Sequence, residues 1–511
     1  MKTFKYGLML VLTIAFFTSC SDWLVVYPQN EQVSDTYWTS QEDVEAAINA
    51  GYYDFRDLVI DYLIPYGELR SGCIFSIKTN KLQNFQVTPT DKSLCNWGPF
   101  YQVINIANVV LANAEKAKER DETYKQEELN SHYCEAYFLR ALTYFYLVRN
   151  WREVPLITVP FEDDSHSYRI AKSSESEIIK QIKSDVEAAL ATGAAKEAYE
   201  TTWETKGRAT KWALYALMAD VCLWSEDYDK AIEYCDYLLN ATSAKAPVLL
   251  STPTHDKWFS MFNPGNSNES IFEIQWSYER KQTNTLPILF DNLATDRLYQ
   301  ISQSLLTEFN AEYTYTFENQ LEAVRTMYGG YYTDDPAGYD VATKGYVWKY
   351  CGAKTYSEKR TQTYYDPNFI IYRMAEIYLM KAEALVLRSD SREDWKKALD
   401  LVNDIRTRSN LAKIEYTDDL SEQDMLGLIL YERRMEFVGE GKSWYDILRF
   451  GRRNNNKYKS VFLVENVTKY NKQASESWLN SVLSNDDALF LPIAQSELKA
   501  NSALVQNPYY Y

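Results

Sequence analysis

Apolar residues recur along this chain mostly at the spacing of a helix. Val103, Ile106, Ala107, Val110, Leu111 and Ala114 follow i, i+3, i+4, i+7, so they line one helical face. Phe138, Ala141, Leu142, Phe145 and Val148 repeat the pattern, as do Ile178, Ile182, Val186 and Ala189. A later stretch carries Ile371, Met374, Ala375, Tyr378, Leu379, Ala382 and Leu385 in the same way. The clearest unit runs for 34 residues from Gly207 to Asn240. Trp212, Ala216, Ala219 and Leu223 predict a first helix, Ser225-Glu226-Asp227 a polar turn, and Tyr228, Ala231, Ile232, Cys235, Leu238 and Leu239 a second. Ala219 and Ala231 are small where two such helices approach most closely, as in a tetratricopeptide (TPR) repeat. Residues 371–408 form a looser second pair, and pairs around 100–150 and 425–450 complete a short stack. One pair cannot bury its own face, so stacking is required.

The period breaks in two places. Segment 241–368 holds six of the fourteen prolines, together with Gly329-Gly330, and lacks long helical runs. Within it Phe272, Ile274 and Trp276 alternate with Glu273 and Gln275, which predicts a short half-buried strand. Segment 65–99 is similarly irregular. Long insertions in a compact fold that are rich in Trp and Tyr are read as ordered and functional. The expected layout is therefore an all-α scaffold, mainly 97–240 and 369–450, with irregular ligand-binding segments at about 65–99 and 241–368.

The N-terminus changes the picture of where the chain works. Lys2 and Lys5 precede an apolar run from Tyr6 to Phe17, followed by Thr18-Ser19-Cys20. A run of 12 residues spans roughly 18 Å as a helix, too short for a ~30 Å hydrocarbon core. Charged start, short apolar centre and small residues make residues 1–19 a secretory signal. A cysteine directly after them makes it a lipoprotein signal, with Cys20 as the lipidated first residue of the mature chain, 20–511. An ordinary signal with an incidental cysteine is the alternative.

Charge and residue counts then narrow the chemistry. The 511 residues carry 71 acidic against 54 basic side chains, a net charge of −17, which argues against nucleic-acid binding. There are three histidines, His132, His166 and His255, and no HExxH or GxSxG. Gly441-Lys442-Ser443 resembles the end of a phosphate-binding loop, but Glu436 occupies the earlier glycine position. No ligand spacing identifies a metal, and no cofactor is expected. Cys73 and Cys95 are close enough in sequence to pair across a loop. No catalytic constellation emerges, although so many carboxylates leave a two-carboxylate glycoside hydrolase open.

Four segments together resemble the SusD-like (RagB/SusD) family of outer-membrane nutrient-binding lipoproteins. They are Cys20 to Leu24 with Val26-Tyr27-Pro28; Trp97, Tyr101, Ile104, Ala107 and Asn108 leading to Glu135-Ala136-Tyr137-Phe138-Leu139-Arg140-Ala141 and Val154-Pro155-Leu156; Arg373 to Leu379 with Ala382-Glu383-Ala384 and Asn403-Asp404-Ile405-Arg406; and Glu432-Arg433-Arg434-Met435-Glu436-Phe437 with Glu440-Gly441, Trp444, Asp446, Arg449 and Gly451. Leu491-Pro492-Ile493 and Gln506-Asn507-Pro508 close the chain. These motifs read as scaffold: Trp97 packs on Tyr101, and Glu432 and Glu436, interleaved with Arg433 and Arg434, form a partly buried carboxylate–guanidinium network.

The resemblance implies about four TPR-like units and an irregular ligand-binding half. It implies a protein anchored in the outer membrane, facing the exterior, that captures a glycan for a SusC-like TonB-dependent β-barrel transporter. A peptide is the alternative cargo, and a protein scaffold using TPR grooves is a further competing class. A non-catalytic sugar site wants aromatic platforms and fixed polar groups. The loop candidates are Phe75, Phe85, Trp276, Tyr278, Tyr299, Trp348 and Tyr350, with Arg70 and Asn84 as hydrogen-bond donors. None of these carries over by motif.

Overall fold

The computed structural model describes residues 37–162, 167–251, 254–290, 298–326, 345, 347–353 and 358–511. The signal segment, Cys20, Gly329-Gly330 and His166 lie outside the described residues. The longer helices, in chain order, begin with α1 Gln41–Leu58, α2 Gly98–Arg120, α3 Gln126–Trp151 and α4 Glu175–Ala191. They continue with α5 Thr202–Gly207, α6 Lys211–Trp224, α7 Tyr228–Leu239 and α8 Gln303–Glu318. The last four are α9 Met374–Arg388, α10 Arg392–Arg408, α11 Glu422–Phe437 and α12 Ser443–Asn456. Capping boxes open α1, α4, α5 and α11, through Ser40 with Asp43, Ser174 with Glu177, Thr201 with Glu204, and Ser421 with Asp424. Each satisfies two otherwise orphaned backbone donors.

Successive helices pack on one another: α1 on α2 and α3, α2 on α3, α3 on α4, α6 on α7, α9 on α10 and α11. Helix α7 packs directly on α9, although 134 positions separate Leu239 from Met374. The intervening chain therefore leaves and rejoins a continuous helical stack. Ala219 and Ala231 are both fully buried within the α6–α7 pair. Trp97 and Tyr101 pack edge to face, ring centroids 6.0 Å apart.

Two short antiparallel ladders tie the irregular segments down, one to each other and one to the start of the second scaffold half. β1 (Ile74–Ser76) pairs with β3 (Tyr299–Ile301), with Phe75 opposite Gln300. β2 (Ser270–Ile274) pairs with β4 (Phe369–Arg373), with Ile274 opposite Phe369. β2 corrects the half-buried reading: all five residues are buried, Glu273 included. Its carboxylate accepts from the Asn266 backbone N–H at 3.0 Å and Asn368 Nδ2 at 2.7 Å, so alternation of polarity does not mean alternation of exposure here. Helix α8 also departs from expectation. Its buried face runs Leu305, Leu306, Phe309 and then Glu312 and Thr316, so the apolar period fades where polar partners take over.

The motif residues assemble a buried ion network between the insertion and the scaffold. Arg373 donates to Glu440 Oε2 (3.0 Å) from Nε, to Glu269 Oε1 (3.1 Å) and Glu436 Oε1 (2.7 Å) from Nη1, and to the Glu436 carbonyl (3.0 Å) and Glu440 Oε1 (3.0 Å) from Nη2. These five bonds match the five N–H donors of a guanidinium. Arg325 reaches Glu432 at 2.5 Å and Glu312 at 2.7 Å, Lys349 reaches Glu440, and Arg408 reaches Glu269 and Glu436. The sequence neighbours of Glu432 and Glu436 point elsewhere: Arg433 pairs with Glu376 and Asp446, and Arg434 with Glu308. The network is fully buried, not partly so, because the insertion supplies Glu269, Glu312, Arg325 and Lys349 as a lid of matching charge.

All six described cysteines are buried free thiols, so Cys73 and Cys95 are not bonded to each other. Burial pushes both thiols up to about 12. Among the described residues no helix is long and apolar enough to cross a membrane.

Candidate functional site

Helix α1 carries two stripes. Val44, Ile48, Gly51, Phe55 and Leu58 face the core, while Glu45, Asn49, Tyr52, Tyr53 and Arg56 run beside them at i, i+4, i+7, i+8 and i+11. The second stripe forms one wall of a cleft of about 360 Å³. Trp203, Glu204 and Gly207 of α5, Arg208 just past its end, and Glu273 to Gln275 at the end of β2 line the cleft with it, and Arg280 and Gln282 come from the turn beyond β2. The size and mixed lining suit a small polar ligand with apolar faces.

The floor is rigidly built. Arg208 binds Glu135 through Nε (2.9 Å) and Nη2 (2.8 Å), and Glu45 through Nη1 (2.9 Å). Glu135 also accepts from the Tyr52 hydroxyl at 2.9 Å, and Tyr52 in turn accepts the Ala209 N–H at 2.8 Å. Burial, then the Glu135 charge, holds the Tyr52 hydroxyl well above its ordinary range, so it stays a neutral donor. Gln275 Nε2 donates to the Trp203 carbonyl at 2.8 Å, tying α5 to β2. Gly207 permits that contact, since a Cβ there would lie 2.0 Å from Gln275 Oε1.

The rim is a tight turn. Arg280 N donates to Ser277 O (3.1 Å), Lys281 N to Tyr278 O (2.8 Å) and Gln282 N to Ser277 O (2.9 Å). Lys281 takes the left-handed conformation at φ 59°, closing the turn. Tyr278 N donates to Asp366 Oδ2 at 2.9 Å, and Arg360 fixes Asp366 from the other side at 3.1 Å. The Tyr278 ring meets Tyr364 edge to face at 5.3 Å, and both are open to solvent, 45% and 56% exposed. Arg280 lies over Trp203 at 5.0 Å, and Arg56 over Tyr53 at 4.4 Å.

Of the loop residues expected to bind ligand, Tyr278 stands open, Phe75 is half-buried on β1, and the others are enclosed. Arg70 donates to Asn150 at 2.6 Å and Leu489 O at 3.1 Å, and lies 4.6 Å over Trp444. Asn84 holds Trp478 through its carbonyl at 2.8 Å, and Phe85 packs on Trp444 at 5.5 Å. Trp276 is buried beside Asn368, Tyr299 against Phe290, and Trp348 against Phe259. Tyr350 donates to Gly439 O at 2.8 Å and stacks on Phe290 and Phe369. Apart from Tyr278 and Phe75, these side chains are withdrawn as open contacts. An aromatic ring gains more from full burial than from waiting at a surface, and the described residues of both irregular segments pack closely enough to bury these.

Sequence reasoning passed over Tyr53, Arg56, Trp203, Arg280 and Tyr364. The legible signal was Tyr53 and Arg56 on the polar side of α1, three apart and one turn from each other. A second groove, of about 870 Å³, lies between α4, Trp224 and Arg152. Its charges are largely matched already: Arg152 with Asp487, Lys183 with Asp227, and Arg452 with Glu175.

Among the described residues no group of three His, Cys, Asp or Glu side chains is placed to hold a metal. The helical stack, looped-out aromatic segment and polar cleft describe a binding protein built on helix pairs. Two family models match: the SusD family over residues 255–510, and a family described as starch-binding, associating with outer membrane, over residues 62–223. The chain belongs to the SusD family. It is 24% identical to SusD-like protein P38 of Formosa agariphila over 497 residues, covering 88% of this chain and 92% of that one. A SusD-like protein of Bacteroides ovatus is 26% identical over 485 residues, with 88% and 84% covered. Among solved structures, a SusD superfamily protein from Bacteroides thetaiotaomicron has a TM-score of 0.72 at 21% identity, over 93% of this chain and 99% of that one. A laminarin-binding SusD-like protein has a TM-score of 0.66 at 21% identity, over 93% and 100%.

Proposed function

We propose that this protein captures an oligosaccharide at the cell surface and passes it to a TonB-dependent β-barrel transporter without transforming it. The observation that carries the reading is an open aromatic pair, Tyr278 on the turn that rims the cleft and Tyr364 packed against it from a separate segment. Sugars present flat C–H faces that stack on such rings, while hydroxyls merely exchange water for protein hydrogen bonds. Family membership and the laminarin-binding relative support a glycan as the cargo.

Replacing Tyr278 with Ala is expected to weaken oligosaccharide binding by on the order of 1–3 kcal/mol, roughly 5- to 150-fold. Calorimetry against a panel of oligosaccharides and short peptides checks this, with circular dichroism verifying the fold. A panel in which only peptides bind identifies the other cargo, and hydrolysis of the bound glycan makes the protein an enzyme.

Anchoring is proposed through a lipid on Cys20, on the outer membrane's exterior face. Cys20→Ala is expected to move the protein from the membrane to the soluble fraction in cells lacking the transporter. In cells that express it, gentle detergent extraction is expected to recover a large β-barrel with the wild-type chain. Recovery of the chain alone there rejects the partnership.

A further inference from the structure

The saccharide reading leaves open which sugars the cleft selects, and its charge distribution bears on that. The acidic excess of the chain, 71 carboxylates to 54 lysines and arginines, means that most cations should find a carboxylate. Arg208, on the floor, has two, Glu45 and Glu135. Arg56 and Arg280 have none within 4.0 Å among the described residues, and no hydrogen bond within those residues satisfies either guanidinium; Nε of Arg56 is closed to solvent without an acceptor. They stand on different elements, α1 and the 278–282 turn, yet line the same cleft.

Both guanidiniums also lie over aromatic rings, Tyr53 and Trp203. A ring face holds the plane of an arginine while leaving its N–H edge free for a bidentate acceptor. Glu45, Glu204 and Glu273 line the cleft too, but each is engaged elsewhere, by Arg208, by the Thr201 cap, and by Asn266 and Asn368, so the open N–H donors of the two arginines are left for an incoming anion. Asn49 and Gln282 add neutral donors and acceptors suited to hydroxyls. We infer that the cleft binds an anionic saccharide, with the carboxylate of a uronosyl residue or a sulfate ester held by Arg56 and Arg280. This rests on the saccharide reading above and deepens it. The long-range field of the protein is negative, so selection of an anion has to be local, and it will be screened by salt.

The test is calorimetry of the mature chain with three oligosaccharide probes of matched length: a neutral β-glucan, an oligogalacturonate and a sulfated galactan. One acidic probe is expected to bind at least ~10-fold more tightly than the neutral one at low salt, the gap narrowing as NaCl is added. The Arg56→Gln/Arg280→Gln double variant is expected to lose on the order of 30-fold or more for that acidic probe and only a few-fold for the neutral one, so that the acidic preference disappears. The two acidic arms distinguish carboxylate from sulfate. Equal or tighter binding of the neutral probe, undisturbed in the double variant, overturns the anionic inference and leaves the saccharide reading standing. Loss of neutral and acidic binding alike in the double variant overturns charge selection too. Failure of the wild type to bind any of the three overturns both.

Discussion

Replacing Arg373 with Met is expected to lower the free energy of unfolding by about 3–5 kcal/mol. The side chain is completely buried and its donors are spent on Glu269, Glu436 and Glu440. A methionine fills much of the volume and removes the charge, so three buried carboxylates are left with fewer cations among them. The Glu436 carboxyl pays burial but sits far below the usual carboxylate range, because Arg408, Arg373, Arg325 and Lys349 surround it. Removing one of the four leaves part of that burial uncompensated. Denaturant unfolding of the two proteins measures the loss. Because the network clamps the insertion onto α9 and α11, protease cleavage within 255–368 should also accelerate. A change under about 1 kcal/mol would mean that the remaining cations redistribute and that no single arginine is required. The companion variant Arg373→Met/Glu440→Leu is expected to recover part of the loss, since one unpaired carboxylate goes with the arginine; recovery is partial because Lys349 loses Glu440 and because Glu269 and Glu436 still lack Arg373.

Wild type and Glu68→Gln are expected to diverge in stability with pH by about 3 kcal/mol. Glu68 is buried, and its carboxylate accepts from Gly441 N at 2.7 Å, Lys442 N at 3.2 Å and Ser443 Oγ at 2.9 Å. The Gly-Lys-Ser segment thus cradles an oxyanion after all, the protein's own carboxylate at the N-terminus of α12. Gly67 allows the approach, since a Cβ there would lie 1.9 Å from the Gly441 carbonyl oxygen. Burial outweighs these donors and pushes the Glu68 carboxyl up to about 7. The folded chain therefore holds this proton where the unfolded chain has released it. The resulting stabilisation is full below the usual carboxylate range and is lost as pH rises to about 7. Glutamine does not titrate, so urea unfolding at pH 4, 5, 6, 7 and 8 should show wild type losing ground to the variant up to pH 7 and levelling beyond. A flat difference would show that Glu68 stays ionised throughout.

Much of the scaffold was legible because its information is local. Ala219 and Ala231 mark a close helix pair through spacing alone, and broken periodicity after Asn240 marks an insertion. The binding surface was less legible because exposure is a property of the whole assembly. Trp276, Trp348 and Tyr350 read as platforms by residue type and irregular surroundings, yet the insertion folds over them. Tyr278 stays open because its turn projects past the end of β2, next to Tyr364, which is 86 positions away.

Helical period, helix caps and the ordered family motifs each depend on residues within a few turns, so the chain's one-dimensional pattern decided them. Which charge meets which did not follow from that pattern. Glu432 and Glu436 sit beside Arg433 and Arg434 in sequence, yet side chains one apart on a helix diverge by about 100°. Their partners therefore came from Arg325, Arg373 and Arg408 on other elements. The cleft has the same origin: α1, α5 and the 278–282 turn meet only because β2 pairs with β4 and draws the far ends of the insertion together.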